Sequence, residues 1–426
     1  TEDDLTSEEI KKSLLDLYFS DYKQTWLQFL ESIHYTNFDN VPSAASNLKI
    51  LSDPVSSPLV LILKTVSNHL QFIVDIQTPD SNVRSGYANL DLNKNNLNDI
   101  KKYLNTDFGA ALSQLAAVSG VLESIKDGQD LSKDYAVKVL DKRAPELPSA
   151  LQSIKGILYS TPALQNAFIM PVKLSWSAVL SDASEYINQQ WRKKVVDEFK
   201  KTLAVSFPFS ESGSDAPLED FKDFFKPGDG IIWSFFNTEL SAFINKERWK
   251  ANEWESSGLS VSNELINALK KADDISSTLF KTGDLSIAFK LKPQLPESKS
   301  SSGQKPIVEQ VSLYIDGVDE PYRMGSPFWK DYSWPGGKGT PGARLNISMR
   351  NLGTDSKNYN GEWAFFKLLN DASISRGESS SQYNLNWFFA KGNYDVTVSY
   401  LLNAGSSRNP FSKNYFSSFN LPGKIN

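Results

Sequence analysis

At Gly283 the hydrophobic period of this chain switches from near 3.6 residues to 2, so a helical part must hand over to a stranded one. Upstream, Thr6 and Glu9 form a capping-box pattern, followed by Leu15, Tyr18, Tyr22, Trp26, Phe29 and Ile33 at spacings of three and four. Ser57-Pro58 opens a second helix carrying Leu59, Ile62, Val66, Leu70 and Ile73, and residues 77–98, polar and rich in Asn, read as a long loop. Thr106 is the expected N-cap of an Ala-rich helix with Leu112, Leu115, Val118 and Leu122. Pro145, Pro148, Pro162 and Pro171 are expected to break the next region into short pieces, leaving residues 172–203 as the longest continuous helix. Pro217 opens a helix with Phe221 and Phe225, and Ser262 caps the last one.

Downstream, Leu285, Ile287, Phe289 and Leu291 alternate with Ser286, Ala288, Lys290 and Lys292 up to Pro293. Val311, Leu313 and Ile315 repeat the pattern before a turn at Gly317, and further strands are expected over 344–350, 383–389 and 394–401. The Ser-, Lys- and Pro-rich stretch 296–306 reads as a flexible loop, and residues 363–369 fit a short helix or a buried strand equally. The expected class is α+β and multidomain. A helical N-terminal region, divided as a stalk over 1–204 and a subdomain over 205–282, precedes an antiparallel β-sandwich-like domain over 283–426.

A chain of 426 residues is too long for one ordinary core, and 40% apolar with 22% charged residues is ordinary for a globular protein. No transmembrane segment is expected, because the most apolar short run, Leu59–Leu63, falls far below the roughly 20 residues needed to cross a bilayer. The opening Thr1-Glu2-Asp3-Asp4, without initiator Met or signal peptide, reads as part of a longer protein. The absence of cysteine excludes disulfides, thiolate metal sites and cysteine nucleophiles. A net charge of −5 gives no nucleic-acid signal, although a small basic excess lies after Ser301.

Motifs for chemistry are weak. His34 and His69 are the only histidines and neither sits in a metal-binding spacing, so both are expected at structural positions. Asp91, Asn93 and Asn95 imitate an EF-hand loop, but Asn96 replaces its turn glycine and Lys102 its closing glutamate. Gly336-Gly337-Lys338-Gly339-Thr340 lacks phosphate-loop spacing and precedes a strand, so a glycine turn is expected. Glu219 and Asp220 fall in a first helical turn, where the dipole favours them. No catalytic, cofactor-binding or metal-binding residue is assigned. A pair of distant carboxylates leaves open a glycan hydrolase, and exposed ring platforms would leave open a carbohydrate-binding sandwich.

The aromatic run that follows the turn is the candidate contact surface. Tyr322, Phe328, Trp329, Tyr332 and Trp334 lie on a segment bounded by proline and glycine, where rings either fill the sandwich edge or face a partner.

Several collinear stretches resemble the C-terminal periplasmic part of the IcmF/TssM family of the type VI secretion membrane complex. They are FPF at Phe207–Phe209, the run Pro217–Ile244, LSIAFKLKP at Leu285–Pro293 and LYIDG at Leu313–Gly317. YRMGSPFW at Tyr322–Trp329, YSWPG at Tyr332–Gly336, GEWAFFKLL at Gly361–Leu369, and NPF and FNLPG near the end complete the set. The resemblance implies a non-catalytic periplasmic scaffold, anchored to the inner membrane by segments upstream. It implies a sandwich that docks onto an outer-membrane lipoprotein, other inner-membrane subunits as partners, a homo-oligomer in the assembly, and no cofactor.

Overall fold

The structure, a computed structural model, describes residues 6–77, 94–300, 307–337, 339–391 and 393–426. The chain forms two compact units, each discontinuous in sequence. One comprises Thr1–Ile187 with Ala242–Asn245 and Lys250–Ser260; the other comprises Asn188–Ser241, Lys246–Trp249 and Val261–Asn426. The division falls inside a helix, between Ile187 and Asn188; the helices between residues 205 and 282 all lie in the second unit, and only short strands of that stretch belong to the first.

The first unit is built from α1 (Ser7–Glu31), α2 (Val41–Leu51), α3 (Pro58–Gln77), α4 (Lys94–Leu104), α5 (Phe108–Ile125), α6 (Gln129–Leu140) and α7 (Glu146–Ile157), with most of α8 (Pro162–Trp191). The Thr6 capping box is present, with Glu9 accepting from the Thr6 backbone at 2.8 Å. Yet α1 buries only Phe19 and Leu30 and leaves Ile10, Leu14, Leu17 and Tyr18 exposed. The N-cap of α5 is Asp107, which accepts from Ala110 at 3.1 Å; Thr106 instead donates back to the Lys102 carbonyl, closing α4. By length and composition α5 could cross a membrane, but it packs against α2 and α7, and Ser119 donates to the Ala45 carbonyl at 3.1 Å. It is a core helix. The expected loop over 77–98 is helical from Lys94; its remainder, and Asp91 and Asn93 of the EF-hand imitation, lie outside the described residues.

Pro171 does not break α8 as the sequence suggested. Proline removes one i→i−4 donor, so the Ala167 carbonyl loses its helical partner. The Tyr35 hydroxyl takes that place, donating to Ala167 at 2.7 Å, and burial raises the pKa of this phenol. One satisfied carbonyl keeps the helix whole. Two short hairpins, β1 (Ile244–Asn245) with β2 (Lys250–Ala251) and β3 (Glu253–Trp254) with β4 (Ser257–Gly258), belong to the same unit. The Trp254 ring meets Trp176 edge-on at 5.5 Å, and the Trp176 indole donates to Ser257.

In the second unit α8 runs into a π-helical turn, Arg192–Val196, and α9 (Asp197–Thr202). Then come α10 (Leu218–Phe225), α11 (Ile231–Phe235), a second π-helical turn at Phe236–Leu240, and α12 (Asn263–Leu279), capped by Ser262 as expected. Two antiparallel sheets follow. The six-stranded one has the order β12 (Ser373–Arg376), β13 (Gln382–Lys391), β14 (Tyr394–Asn403), β5 (Ile287–Pro293), β9 (Lys330–Trp334), and β6 (Glu297–Ser300) also pairs with β14. The four-stranded one has the order β11 (Gly353–Asn360), β10 (Gly342–Met349), β7 (Val308–Ile315), β8 (Val318–Tyr322). The alternation read for β5 holds: Ile287, Phe289 and Leu291 are buried, Ala288 and Lys290 exposed. Part of the expected loop 296–306 is strand, because Glu297–Ser300 satisfies its backbone against Tyr394–Thr397 whatever its side chains prefer.

Residues 363–369 resolve as helix α13 (Ala364–Asn370), buried through Phe365, Phe366, Leu368 and Leu369. Phe289 stacks on Phe365 at 4.8 Å, and Trp363 lies 4.6 Å from Trp334. Buried indoles need acceptors. Trp191 finds Pro422, Trp334 finds Glu362, Trp363 finds Ala216 and Trp387 finds Leu368, all through backbone carbonyls at 2.7–2.8 Å.

Candidate docking surface

The hairpin joining β7 to β8 turns on Asp316 (φ 46°) and Gly317 (φ 94°), the left-handed pair that matches strand twist. Pro321 sits in β8, at the edge of its sheet, where a missing donor breaks no ladder. The buried Asp316 carboxylate accepts from Gly336 at 3.0 Å and Gly342 at 2.9 Å, holding both ends of the glycine-rich loop. Burial raises its pKa, while those two N–H groups work in the opposite direction. A side chain at Gly336 would put its Cβ 2.2 Å from that of Asp316, so glycine is there for close approach and not for phosphate.

From β8 the chain crosses to β9, the edge of the other sheet, through residues 323–329. Tyr322 donates to Gly325 at 2.8 Å, and Met324 takes a left-handed φ of 59°, so the start of the loop is fixed. Of the five aromatic candidates, the structure brings three inside. Tyr322, Tyr332 and Trp334 are 4%, 5% and 0% exposed, because alternation on β8 and β9 points them into the sandwich. The partner-facing expectation is corrected for these three. A flat sugar platform made from them is lost with it. Phe328 is 53% exposed and Trp329 is half-buried, with the Lys292 ammonium 5.9 Å from its ring. Phe328 lines a pit of about 10 Å³ together with Leu291, Pro293, Pro321, Tyr322 and Tyr400, and Lys330 is paired to Glu320 at 3.0 Å on its rim. That rim offers apolar contact and one ion pair.

Elsewhere the candidate groups are in structural places. His69 stacks on Trp26 at 4.5 Å with its Nδ1 2.9 Å from the Tyr22 hydroxyl, and His34 Nδ1 meets the Ser32 carbonyl. Glu219 pairs with Lys222 within α10 at 2.6 Å. Among the described residues no three His, Cys, Asp or Glu side chains converge as a metal site.

Comparison with known proteins agrees with this architecture. Residues 182–285 match the profile of the type VI secretion protein IcmF helical domain, residues 289–404 that of the IcmF C2-like domain, and residues 1–71 an IcmF-related profile described as intracellular multiplication and human macrophage-killing. The sandwich thus coincides with a C2-like module, and the chain belongs to the IcmF/TssM family of type VI secretion proteins. It is 23% identical to the type VI secretion system component TssM1 of Pseudomonas aeruginosa, over 96% of this chain but only 39% of that protein. In fold it is similar to a chain of a type VI secretion system membrane core complex, with TM-score 0.72 and 23% identity over 98% of this chain and 85% of that one. A type VI membrane complex chain gives the same TM-score of 0.72 at 23% identity, covering 99% and 86%. The T6SS protein TssM C-terminal domain from EAEC matches over 57% of this chain and 98% of its own, at 24% identity and TM-score 0.50.

Proposed function

We propose that this chain is a non-catalytic structural part of a type VI secretion membrane complex, acting in the periplasm and docking an outer-membrane lipoprotein through the 323–329 loop. The observation that carries the reading is the exposed Phe328 beside the half-buried Trp329, set on a pinned loop where the edges of both sheets meet. Large rings on a preorganised loop contribute contact area at low entropic cost, the usual chemistry of an interface anchor. Inner-membrane subunits and further copies of the chain complete the assembly in this reading. The test is titration of the full chain with the purified lipoprotein. Phe328→Ala with Trp329→Ala weakens binding by at least tenfold at unchanged thermal stability, and undiminished binding refutes the assignment of this loop.

A further inference from the structure

At the opposite edge of the six-stranded sheet from β9, a cleft of about 450 Å³ opens between β12 and the segment 407–415. Its lining includes Arg376, Arg408 and Lys413, all exposed. Among the described residues none of these three cationic heads makes an ion pair or hydrogen bond. The one acid in the lining, Asp274, is already engaged: Tyr415 donates to it at 2.8 Å and Lys271 lies 3.9 Å away. Three positive charges therefore face the cleft without a counter-charge.

The walls are set in advance. Asn409, 5% exposed, donates to Tyr383 Oη and to the Ser406 and Ser407 carbonyls and accepts from Phe411, which fixes the loop that presents Arg408. On the other wall β12 pairs only with β13. Alternation turns the backbone of Ser373 and Ser375 toward β13 and that of Ile374 and Arg376 outward; the Ile374 N–H and C=O and the Arg376 N–H make no hydrogen bond among the described residues, and the Arg376 carbonyl accepts from Asn384 Nδ2 at 3.2 Å. A short unpaired edge is a template for an added strand, and guanidinium groups beside it suit carboxylates bidentately.

We infer that this cleft takes an extended acidic segment of a partner protein, which pairs with β12 through its backbone and sets its carboxylates against Arg376, Arg408 and Lys413. The site is separate from the aromatic loop and adds a second contact to the proposed assembly. Strand addition supplies affinity through the main chain, and alternate acidic side chains supply selectivity.

The test is fluorescence anisotropy of the full chain with a labelled six-residue peptide alternating Asp and Val. Saturable, salt-weakened binding is expected, with at least a tenfold loss in the Arg376→Glu, Arg408→Glu double variant. Lys413→Glu alone should weaken binding as well, which keeps the test valid if the double variant unfolds. The same peptide N-methylated at alternate residues should bind at least tenfold more weakly, and Phe328→Ala should leave peptide binding unchanged. Absence of saturable binding overturns the inference. So does equal binding of the N-methylated peptide or of inorganic polyphosphate, since either reduces the cleft to a simple sink for anions.

Discussion

Replacing Tyr35 by Phe removes a single oxygen and tests why α8 survives a central proline. In the native chain the Tyr35 hydroxyl is the donor that the Ala167 carbonyl lost to Pro171. Ala167 is 1% exposed, so water cannot readily substitute. A buried acceptor left unmet costs about 1–3 kcal/mol, above the about 1 kcal/mol net value of an average hydrogen bond. With a urea dependence of about 2–3 kcal/mol/M, a loss of 2 kcal/mol lowers the midpoint of the helical transition by roughly 0.7–1 M. The decisive measurement is a double-mutant cycle with Pro171→Ala, followed by far-ultraviolet circular dichroism in urea. Alanine at 171 returns an N–H to Ala167, so Tyr35→Phe should then cost about 1 kcal/mol less or better, a coupling well above additivity error. Equal cost in both backgrounds would refute the account of how the helix tolerates its proline.

Other consequences are as direct. Gly336→Ala drives a Cβ into Asp316 and is expected to destabilise the sandwich by about 2–3 kcal/mol, whereas Gly337→Ala, with open space around it, stays within about 0.5 kcal/mol; thermal unfolding of both variants checks the contrast. Ser256 holds a φ of 62° in the turn between β3 and β4, so Ser256→Gly should stabilise by about 1 kcal/mol in the same assay. Burial disfavours the charge on Glu255, but ion pairs to Lys155 at 3.1 Å and Lys173 at 3.3 Å outweigh it and lower its pKa from the ordinary 4.5. Stability from this lowered carboxylate is complete above the unfolded value and lost as pH falls through the folded one. Glu255→Gln should therefore lower the unfolding midpoint at pH 7 and approach wild type near pH 3, and a pH-independent deficit would contradict it.

Local rules of sequence carried much of the fold. Alternation located β5 and β7, the Thr6–Glu9 box located the start of α1, and Ser262 located the start of α12. What escaped was settled at a distance. Pro171 looks like a stop until Tyr35, remote in the chain, supplies its missing donor, and Glu297–Ser300 looks like a linker until β14 pairs with it. For the aromatic candidates, the spacing that marks Tyr332 and Trp334 as one face of a strand does not say that this face is the inner one. Arg376, Arg408 and Lys413 are separated by a hairpin and a loop, so no local pattern announces their convergence. The capping role of Asp316 was likewise invisible, since the two N–H groups that donate to it lie 20 and 26 residues onward.

The carbonyl-bound tryptophans give the protein built-in probes. Trp176 lies in one unit, and Trp191, Trp334, Trp363 and Trp387 lie in the other, each in a dry and differently shaded ring environment. Biosynthetic incorporation of fluorinated tryptophan should therefore yield dispersed resonances assignable by single replacement. Their order of disappearance on warming would reveal which half of the molecule melts first, without cutting the chain.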